Sequence, residues 1–257
     1  YEGVNGMKET KIMKVFEQYV KNFDMNKGNV KAMYFHSIKM MELCKDIASN
    51  IGIFTSEEII VCGIIGLFHD LGMFSNKFKN CLVVDDNTDK SKATIDLLFD
   101  KGNLVRKITD DTKYDDAIKI AIYCQNKNGL PQGSNQKILH FCMVLKDAHV
   151  IETFRMITNY PYMDMYIDHF PNDLVYSDFK QFKVVNAKVS DNDADKILEV
   201  MSLVFGMNYS YSYTLLKEES SINKLVEALK IGNKNISRFF YQIASALNVY
   251  IEQKVME

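Results

Sequence analysis

The dipeptide His69-Asp70 places an imidazole and a carboxylate side by side in the apolar segment CGIIGLFHDLGMF, which runs from Cys62 to Phe74. A buried carboxylate is costly unless it is hydrogen-bonded, ion-paired or bound to a metal. We therefore expect Asp70 to have a partner. One alternative is a hydrogen-bonded pair that fixes a buried helix end, and the other is a metal site.

Further imidazole and carboxylate groups occur where a helical core could gather them. His36 precedes the pair by about thirty residues, and Asp147 and His149 follow in a later segment. A histidine, then a His-Asp pair, then an acidic residue on a later helix is a typical metal-site pattern. Such ligands suit divalent first-row ions such as Zn, Mn, Fe, Co or Ni. His140 and His169 are interpreted as structural.

The overall composition is typical of a globular protein. The 257 residues are 47% apolar and 25% charged, with a net charge of −2, which gives no reason to expect a nucleic-acid polymer or a membrane surface as partner. The longest apolar run, 59–68, is too short to span a bilayer. Five cysteines without CxxC spacing and an N-terminal stretch without a signal-peptide pattern lead us to expect a cytoplasmic protein with reduced thiols.

The apolar spacing predicts an all-α fold, because apolar residues recur at three and four positions and strand-like alternation is scarce. The first proline is Pro131, so long helices are permitted before it. We expect a larger helical domain over 1–158 and a C-terminal helical extension over 159–257 that packs on it to form one compact unit, with an irregular connection at 160–178. Helices are expected at 8–22, 30–51, 56–71, 90–101, 114–126, 135–156, 190–205, 220–231 and 235–255.

Local signals place the His-Asp pair at a helix end. Thr55 and Glu58 have the spacing of a capping box, which predicts a helix start. Gly72 is expected to take the left-handed conformation that often terminates a helix. Adjacent side chains in mid-helix point about 100° apart, but a looser end could let both His69 and Asp70 reach one ion.

In their order and surroundings, these motifs resemble the HD-domain metal-dependent phosphohydrolase superfamily, whose ligand set is H…HD…D. His36 corresponds to the first histidine, and His69-Asp70 to the HD pair. The resemblance covers about 30–155 and implies an HD-domain helical bundle. The stretches HDLGMFSN, DKSKATIDLLF, YCQNKNGLP and KDAHVIE are similar to HDIGRFEQ, DHA..G…LF, YHNKYELP and RDADKLD of a bacterial subgroup.

Two positions depart from the family pattern. Lys90 and Gln125 stand where the family has histidines that bind a second metal or the substrate phosphate. The resemblance therefore implies one divalent ion and not two. The last ligand is ambiguous, because the alignment favours His149 although Asp is more usual there. Asp147 and His149 point about 200° apart on a helix, so we expect only one of them to join His36, His69 and Asp70.

The resemblance implies hydrolysis of a nucleotide or another small phosphate ester. In that reading the ion activates water, Asp70 shares the proton of that water, Lys90 stabilises phosphoryl charge, and Gln125 hydrogen-bonds a phosphate oxygen or a nucleobase. Lys92 and Arg106 are weaker candidates for phosphate contacts.

The alternative function is a degenerate HD-domain protein that binds a nucleotide or a protein partner without turnover. A di-iron oxygenase of the HD type is disfavoured, because it needs extra histidine ligands where Lys90 and Gln125 stand. The oligomeric state does not follow from the sequence.

Overall fold

Helices dominate the structure, a computed structural model that describes residues 9–74, 90–125, 133, 135–159 and 166–257. The all-α prediction is confirmed. Two short strands, β1 (Tyr166–Ile167) and β2 (Lys230–Ile231), pair in parallel. Cys81 and parts of the family-like stretches, at 75–76, 89 and 126–131, lie outside the described residues. None of the described helices has the length and apolar character that a membrane span requires.

The chain divides into two compact units, Tyr1–Lys146 and Asp147–Glu257. The division falls inside a long helix, α7 (Gln136–Asn159), whereas the sequence suggested a boundary after residue 158. The proline-rich and aromatic composition near 160 suggested that boundary. The residues of α7 up to Lys146 belong to the first unit, and those from Asp147 onward belong to the second.

In the described part of the first unit, six helices precede α7. Edge-to-face contacts of the Phe16 ring with Phe68 and Phe74, at centroid distances of 5.8 and 6.0 Å, lie in its core. A 3₁₀ turn over Leu71–Phe74 follows the third helix, and a π-helical turn over Asp96–Asp100 follows the fourth. The helices are α1 (Glu9–Val20), α2 (Gly28–Asn50), α3 (Ser56–Phe68), α4 (Lys90–Ile95), α5 (Leu104–Ile108) and α6 (Asp115–Cys124).

Close approach between α2 and α3 depends on a glycine. A Cβ atom on Gly66 would lie 2.4 Å from the Met40 carbonyl oxygen, so only glycine fits at this crossing. On the same helix, a Cβ on Gly63 would meet the flexible Lys45 side chain, at 2.8 Å. The α2 and α3 backbones can therefore touch one turn before the end of α3, close to His69.

The capping box that begins α3 is confirmed. The Glu58 N–H donates to Thr55 Oγ1 at 3.3 Å, and the Thr55 N–H donates to the Glu58 carboxylate at 2.8 Å. At the other end, α3 stops at Phe68, and His69 is its C-cap residue.

The predicted left-handed conformation of Gly72 is wrong, because this residue lies in the 3₁₀ turn with an ordinary backbone. A different constraint requires glycine there. A Cβ on Gly72 would lie 3.0 Å from Ala93 Cβ and 3.2 Å from the Thr94 nitrogen. The Gly72 N–H also donates to Thr94 Oγ1 at 3.0 Å, so α4 packs directly on the turn that follows the His-Asp pair.

Among the residues of the second unit that the structure describes, five helices follow the C-terminal half of α7. Two of these, α8 and α10, were not predicted, and α8 lies partly in the segment expected to be irregular. Pro171 and Asn172 were the available signal, because the Asn172 side chain accepts from the Val175 N–H and starts α8. The helices are α8 (Asp173–Lys180), α9 (Asp193–Ser202), α10 (Ser210–Glu218), α11 (Ser221–Ala228) and α12 (Lys234–Met256).

Candidate metal centre

Three of the predicted ligands come together in the first unit. Donor atoms of His36, His69 and Asp70 all lie within 4.8 Å of one another. The two imidazole Nε2 atoms are 3.3 Å apart, and His69 Nε2 lies 3.4 Å from Asp70 Oδ2. Helix α2 supplies His36, and the end of α3 supplies the other two. The α2–α3 approach at Gly66 thus joins ligands that are 33 residues apart.

A backbone contact fixes the orientation of His69. Its Nδ1 lies 2.7 Å from the Gly66 carbonyl oxygen, which can only accept, so Nδ1 carries the hydrogen and donates. In the neutral ring, Nε2 then carries the lone pair, which faces His36 and Asp70. Metal-binding histidines are commonly oriented in this way, with the second ring nitrogen bonded to a carbonyl or carboxylate.

The spacing of the donor atoms fits a small divalent ion. Tetrahedral coordination with metal–ligand distances near 2.0–2.1 Å separates the ligand atoms by about 3.3–3.4 Å. The 3.3 Å between His36 Nε2 and His69 Nε2 and the 3.4 Å between His69 Nε2 and Asp70 Oδ2 match this geometry. Without an ion, the same spacing accommodates a hydrogen bond from His36 Nε2 to His69 Nε2. The 3.4 Å between His69 Nε2 and Asp70 Oδ2 is also compatible with the hydrogen-bonded His-Asp pair that is the alternative to a metal site.

Burial keeps His36 in the neutral form that a metal ligand needs, whereas the pKa of His69 shifts in the other direction. Burial lowers the pKa of His36 to about 4. The neighbouring His69 also lowers this pKa, whereas the Asp70 carboxylate raises it. His36 is therefore neutral near pH 7, as a ligand must be. For His69, burial alone would lower the pKa, but the Asp70 carboxylate and the Gly66 carbonyl outweigh it and the net shift is upward.

Gln125, predicted from the sequence as a site residue, lies beside Asp70. It follows the last residue of α6, and its Nε2 lies 3.2 Å from both Asp70 Oδ1 and the His69 carbonyl oxygen. Both partners only accept, so the amide NH₂ group must face them. Its Oε1 is buried and accepts no hydrogen bond from the described residues. The predicted contact of Gln125 with a phosphate or nucleobase stays a prediction.

The positively charged residues that were predicted to contact a phosphate lie in different surroundings. Lys90 is the half-buried first residue of α4, the helix that packs on the 3₁₀ turn after Asp70. Its role toward a phosphate stays a prediction, and Lys92 is exposed. The Arg106 guanidinium is already engaged, because it donates to the carbonyls of Thr109 and Asp111. It also forms an ion pair with the Asp115 carboxylate, so its charge is largely compensated locally.

Asp147 has its own hydrogen-bond partners within the second unit. It is fully buried, and its carboxylate accepts from the Asn208 N–H at 2.9 Å, the Asn208 side-chain amide at 2.8 Å and the Tyr209 N–H at 3.1 Å. Tyr209 immediately precedes α10, so Asp147 satisfies backbone donors at the start of that helix. Burial raises the pKa of Asp147 to about 6, and hydrogen bonds from Asn208, Ser212 and Tyr209 oppose the shift.

His149 is half-buried on α7, and its carbonyl accepts from Thr153 Oγ1 at 2.7 Å. Among the described residues, the cluster of close potential ligands contains neither Asp147 nor His149. The assignment of either one as last ligand therefore stays a prediction.

Sequence reasoning missed two residues that support the centre. Gly66 both admits the α2 backbone and orients His69 through its carbonyl, and Thr94 holds the turn after Asp70. The one sequence signal for the role of Gly66 was its position three residues before His69 on the same helix. At this spacing the His69 side chain can reach the Gly66 backbone carbonyl, one turn earlier.

The comparisons with known proteins found no similar protein. Neither a family model, nor a curated protein, nor a solved structure matches the chain. The HD-domain resemblance therefore rests on the motifs themselves and stays an expectation. The structure establishes an all-α fold with a His36, His69 and Asp70 group that could hold a metal ion.

Proposed function

We propose that this protein is a metal-dependent phosphohydrolase that acts on a nucleotide or another small phosphate ester through one divalent ion. The observation that carries the proposal is the convergence of His36 Nε2, His69 Nε2 and Asp70 Oδ2 at separations of 3.3 and 3.4 Å. Three protein ligands leave coordination positions open, as catalytic metal sites require.

Each residue of the group has a chemical task in this proposal. A bound ion supplies a nucleophile from water at neutral pH and offsets negative charge on the phosphoryl group. His36 stays neutral through burial, and the Gly66 carbonyl keeps the His69 lone pair directed at the ion. Asp70 lowers the net charge of the centre and can take up a proton from water. Lys90 would balance phosphoryl charge from the start of α4.

One observation favours a second candidate, binding of a nucleotide or protein partner without turnover. Asp70 Oδ1 already accepts from the Gln125 amide, and Oδ2 faces His69. If both contacts persist when substrate binds, Asp70 has little capacity left to accept a proton from water. The centre would then hold an ion and a ligand but would hydrolyse slowly or not at all.

The first experiment is elemental analysis of protein purified without chelator and without added metal. We expect about one equivalent of Zn, Mn, Fe, Co or Ni in the wild type and a loss of that ion in Asp70→Ala and His36→Ala. Asp116→Ala, an exposed carboxylate on α6, is the matched control and should keep the ion.

A panel of nucleotides and simple phosphate monoesters and diesters then separates the two candidates. Turnover that disappears in Asp70→Ala supports the phosphohydrolase. A bound ion with no turnover on any phosphate ester supports the binding protein. Absence of an ion in the wild type, even after titration with each metal, would exclude the hydrolase.

A further inference from the structure

We infer that Gln125 is a positioning residue that holds Asp70 as a one-oxygen ligand and thereby limits the centre to a single ion. The inference rests on the proposed metal site but not on hydrolysis. It assigns to Gln125 a role toward the protein's own ligand, where the sequence suggested a contact with substrate.

The geometry at Asp70 divides its two oxygens between different partners. Oδ2 lies 3.4 Å from His69 Nε2, on the side of the imidazole pair, whereas Oδ1 lies 3.2 Å from the Gln125 amide nitrogen. The same amide group reaches the His69 carbonyl oxygen at 3.2 Å. One NH₂ group thus spans the backbone and the side chain of the His-Asp pair and fixes the rotation of the carboxylate.

A second cation at Oδ1 is incompatible with this amide. A carboxylate that bridges two ions through its two oxygens must leave both of them accessible, and paired metals lie about 3.5–4 Å apart. The Gln125 N–H group occupies a lone-pair direction of Asp70 Oδ1 and presents positive charge at that oxygen. Rotating the amide would turn Oε1 toward Oδ1 and the His69 carbonyl, which places three acceptors together with no hydrogen between them.

The backbone around Gln125 makes this arrangement stiff. Gln125 directly follows the buried Cys124 at the end of α6, and α6 packs on both α3 and α4. Those two helices precede and cover the turn that carries Asp70. The amide is therefore positioned before any ion arrives, as in metal sites whose outer hydrogen bonds tune affinity.

Titration of the full chain with Co²⁺ tests the inference. Calorimetry gives the number of ions bound per chain, and visible absorption reports the coordination geometry. Gln125→Met keeps the length of the side chain and removes the N–H donors. We expect it to bind one Co²⁺ about 10- to 100-fold more weakly than wild type, with a changed absorption spectrum. Gln125→Glu replaces the donor with an anion beside Asp70, and we expect two ions per chain. Gln242→Met, exposed on α12, should match the wild type.

The possible outcomes separate this inference from the proposed function. Wild-type affinity and spectrum in Gln125→Met, with one ion also in Gln125→Glu, would overturn the positioning role while leaving a hydrolase intact. Circular dichroism of each variant excludes misfolding as the cause of a loss. A wild type that binds one ion but hydrolyses nothing would overturn the proposed function alone. A wild type that binds no cobalt would overturn both.

Discussion

His69 shows how single hydrogen bonds decide what a residue can do. Its Nδ1 is committed to the Gly66 carbonyl, so its remaining nitrogen alone is available to a ligand. That nitrogen lies within 3.4 Å of both His36 Nε2 and Asp70 Oδ2. A hydrogen-bonded pair that only fixed a helix end does not account for the half-buried His36 imidazole at this distance. His36, His69 and Asp70 together form a group that could hold a metal ion.

A prediction at the residue scale concerns Asp147 and its pH dependence. Burial raises its pKa in the folded protein from 3.8 to about 6, so the folded state binds a proton more readily than the unfolded state between these values. Its contribution to stability is then fully present below about pH 4 and is lost as pH rises through about 6. Because Asp147→Asn cannot titrate, it should gain about 2–3 kcal/mol relative to wild type between pH 4 and 7.

Denaturant unfolding of both proteins across that pH range provides the measurement. Ser177→Ala, half-buried in the same unit and hydrogen-bonded to the Gln181 amide and not to a carboxylate, should run parallel to the wild type. The opposite result would be a wild type whose stability rises relative to that of Asp147→Asn as pH increases. The three amide donors from Asn208 and Tyr209 would then outweigh the effect of burial, and the pKa of Asp147 would be lowered.

The sequence was informative about individual residues only where a local pattern fixed the neighbours. The order of His36, His69 and Asp70 in apolar helices was enough to predict their convergence. The partner of Asp147 was not predictable, because Asn208 lies 61 residues away and no pattern links the two. Gln125 was predicted as a site residue, and its hydrogen bond to Asp70 depends on the turn geometry after α3, which no local sequence pattern indicates.

At the scale of elements, the α2–α3 crossing sets the ligand geometry. Gly66→Ala would place a methyl group 2.4 Å from the Met40 carbonyl, so the two helices must separate. We expect a loss of about 1–3 kcal/mol in stability from overpacking. Because α2 carries His36 and Gly66 orients His69, metal affinity should fall in the same variant.

Gly63→Ala is the matched control on the same helix. Its new methyl group meets the flexible Lys45 side chain, which can move aside, and alanine is favoured over glycine in a helix by about 1 kcal/mol. Thermal unfolding and cobalt binding of both variants give the comparison. Equal stability and affinity in Gly66→Ala and Gly63→Ala would mean that the helix crossing does not constrain the site.

Element prediction succeeded where apolar periodicity was long and failed where helices were short. The long helices α2, α7 and α12 were expected within a few residues of their bounds. The helices α5, α8 and α10 have five, eight and nine residues, too few for a periodic pattern to stand out. Tertiary contacts stabilise such short helices; α10, for example, packs against α12 and starts beside Asp147.

At the scale of the whole molecule, the division into two units leads to a prediction about which helices are stabilised when the ion binds. His36, His69 and Asp70 all belong to Tyr1–Lys146. An ion that binds only the folded state stabilises it by about 2.7 kcal/mol at a hundredfold excess over its Kd. Amide hydrogen exchange in α2, in α3 and in the turn Leu71–Phe74 should therefore slow by up to about 100-fold when the ion is added.

Backbone amides of α10 and α12, in the unit Asp147–Glu257, should exchange at the same rate with and without the ion, because none of the three clustered ligands lies there. The comparison is made by mass spectrometry on the full chain, with His36→Ala as the variant in which no segment should respond. Equal slowing in α10 and α12 would contradict a centre confined to the first unit. It would also support the sequence-based prediction that Asp147 or His149 is the last ligand, and Asp147→Asn and His149→Gln would then identify which one, by loss of the metal-dependent protection.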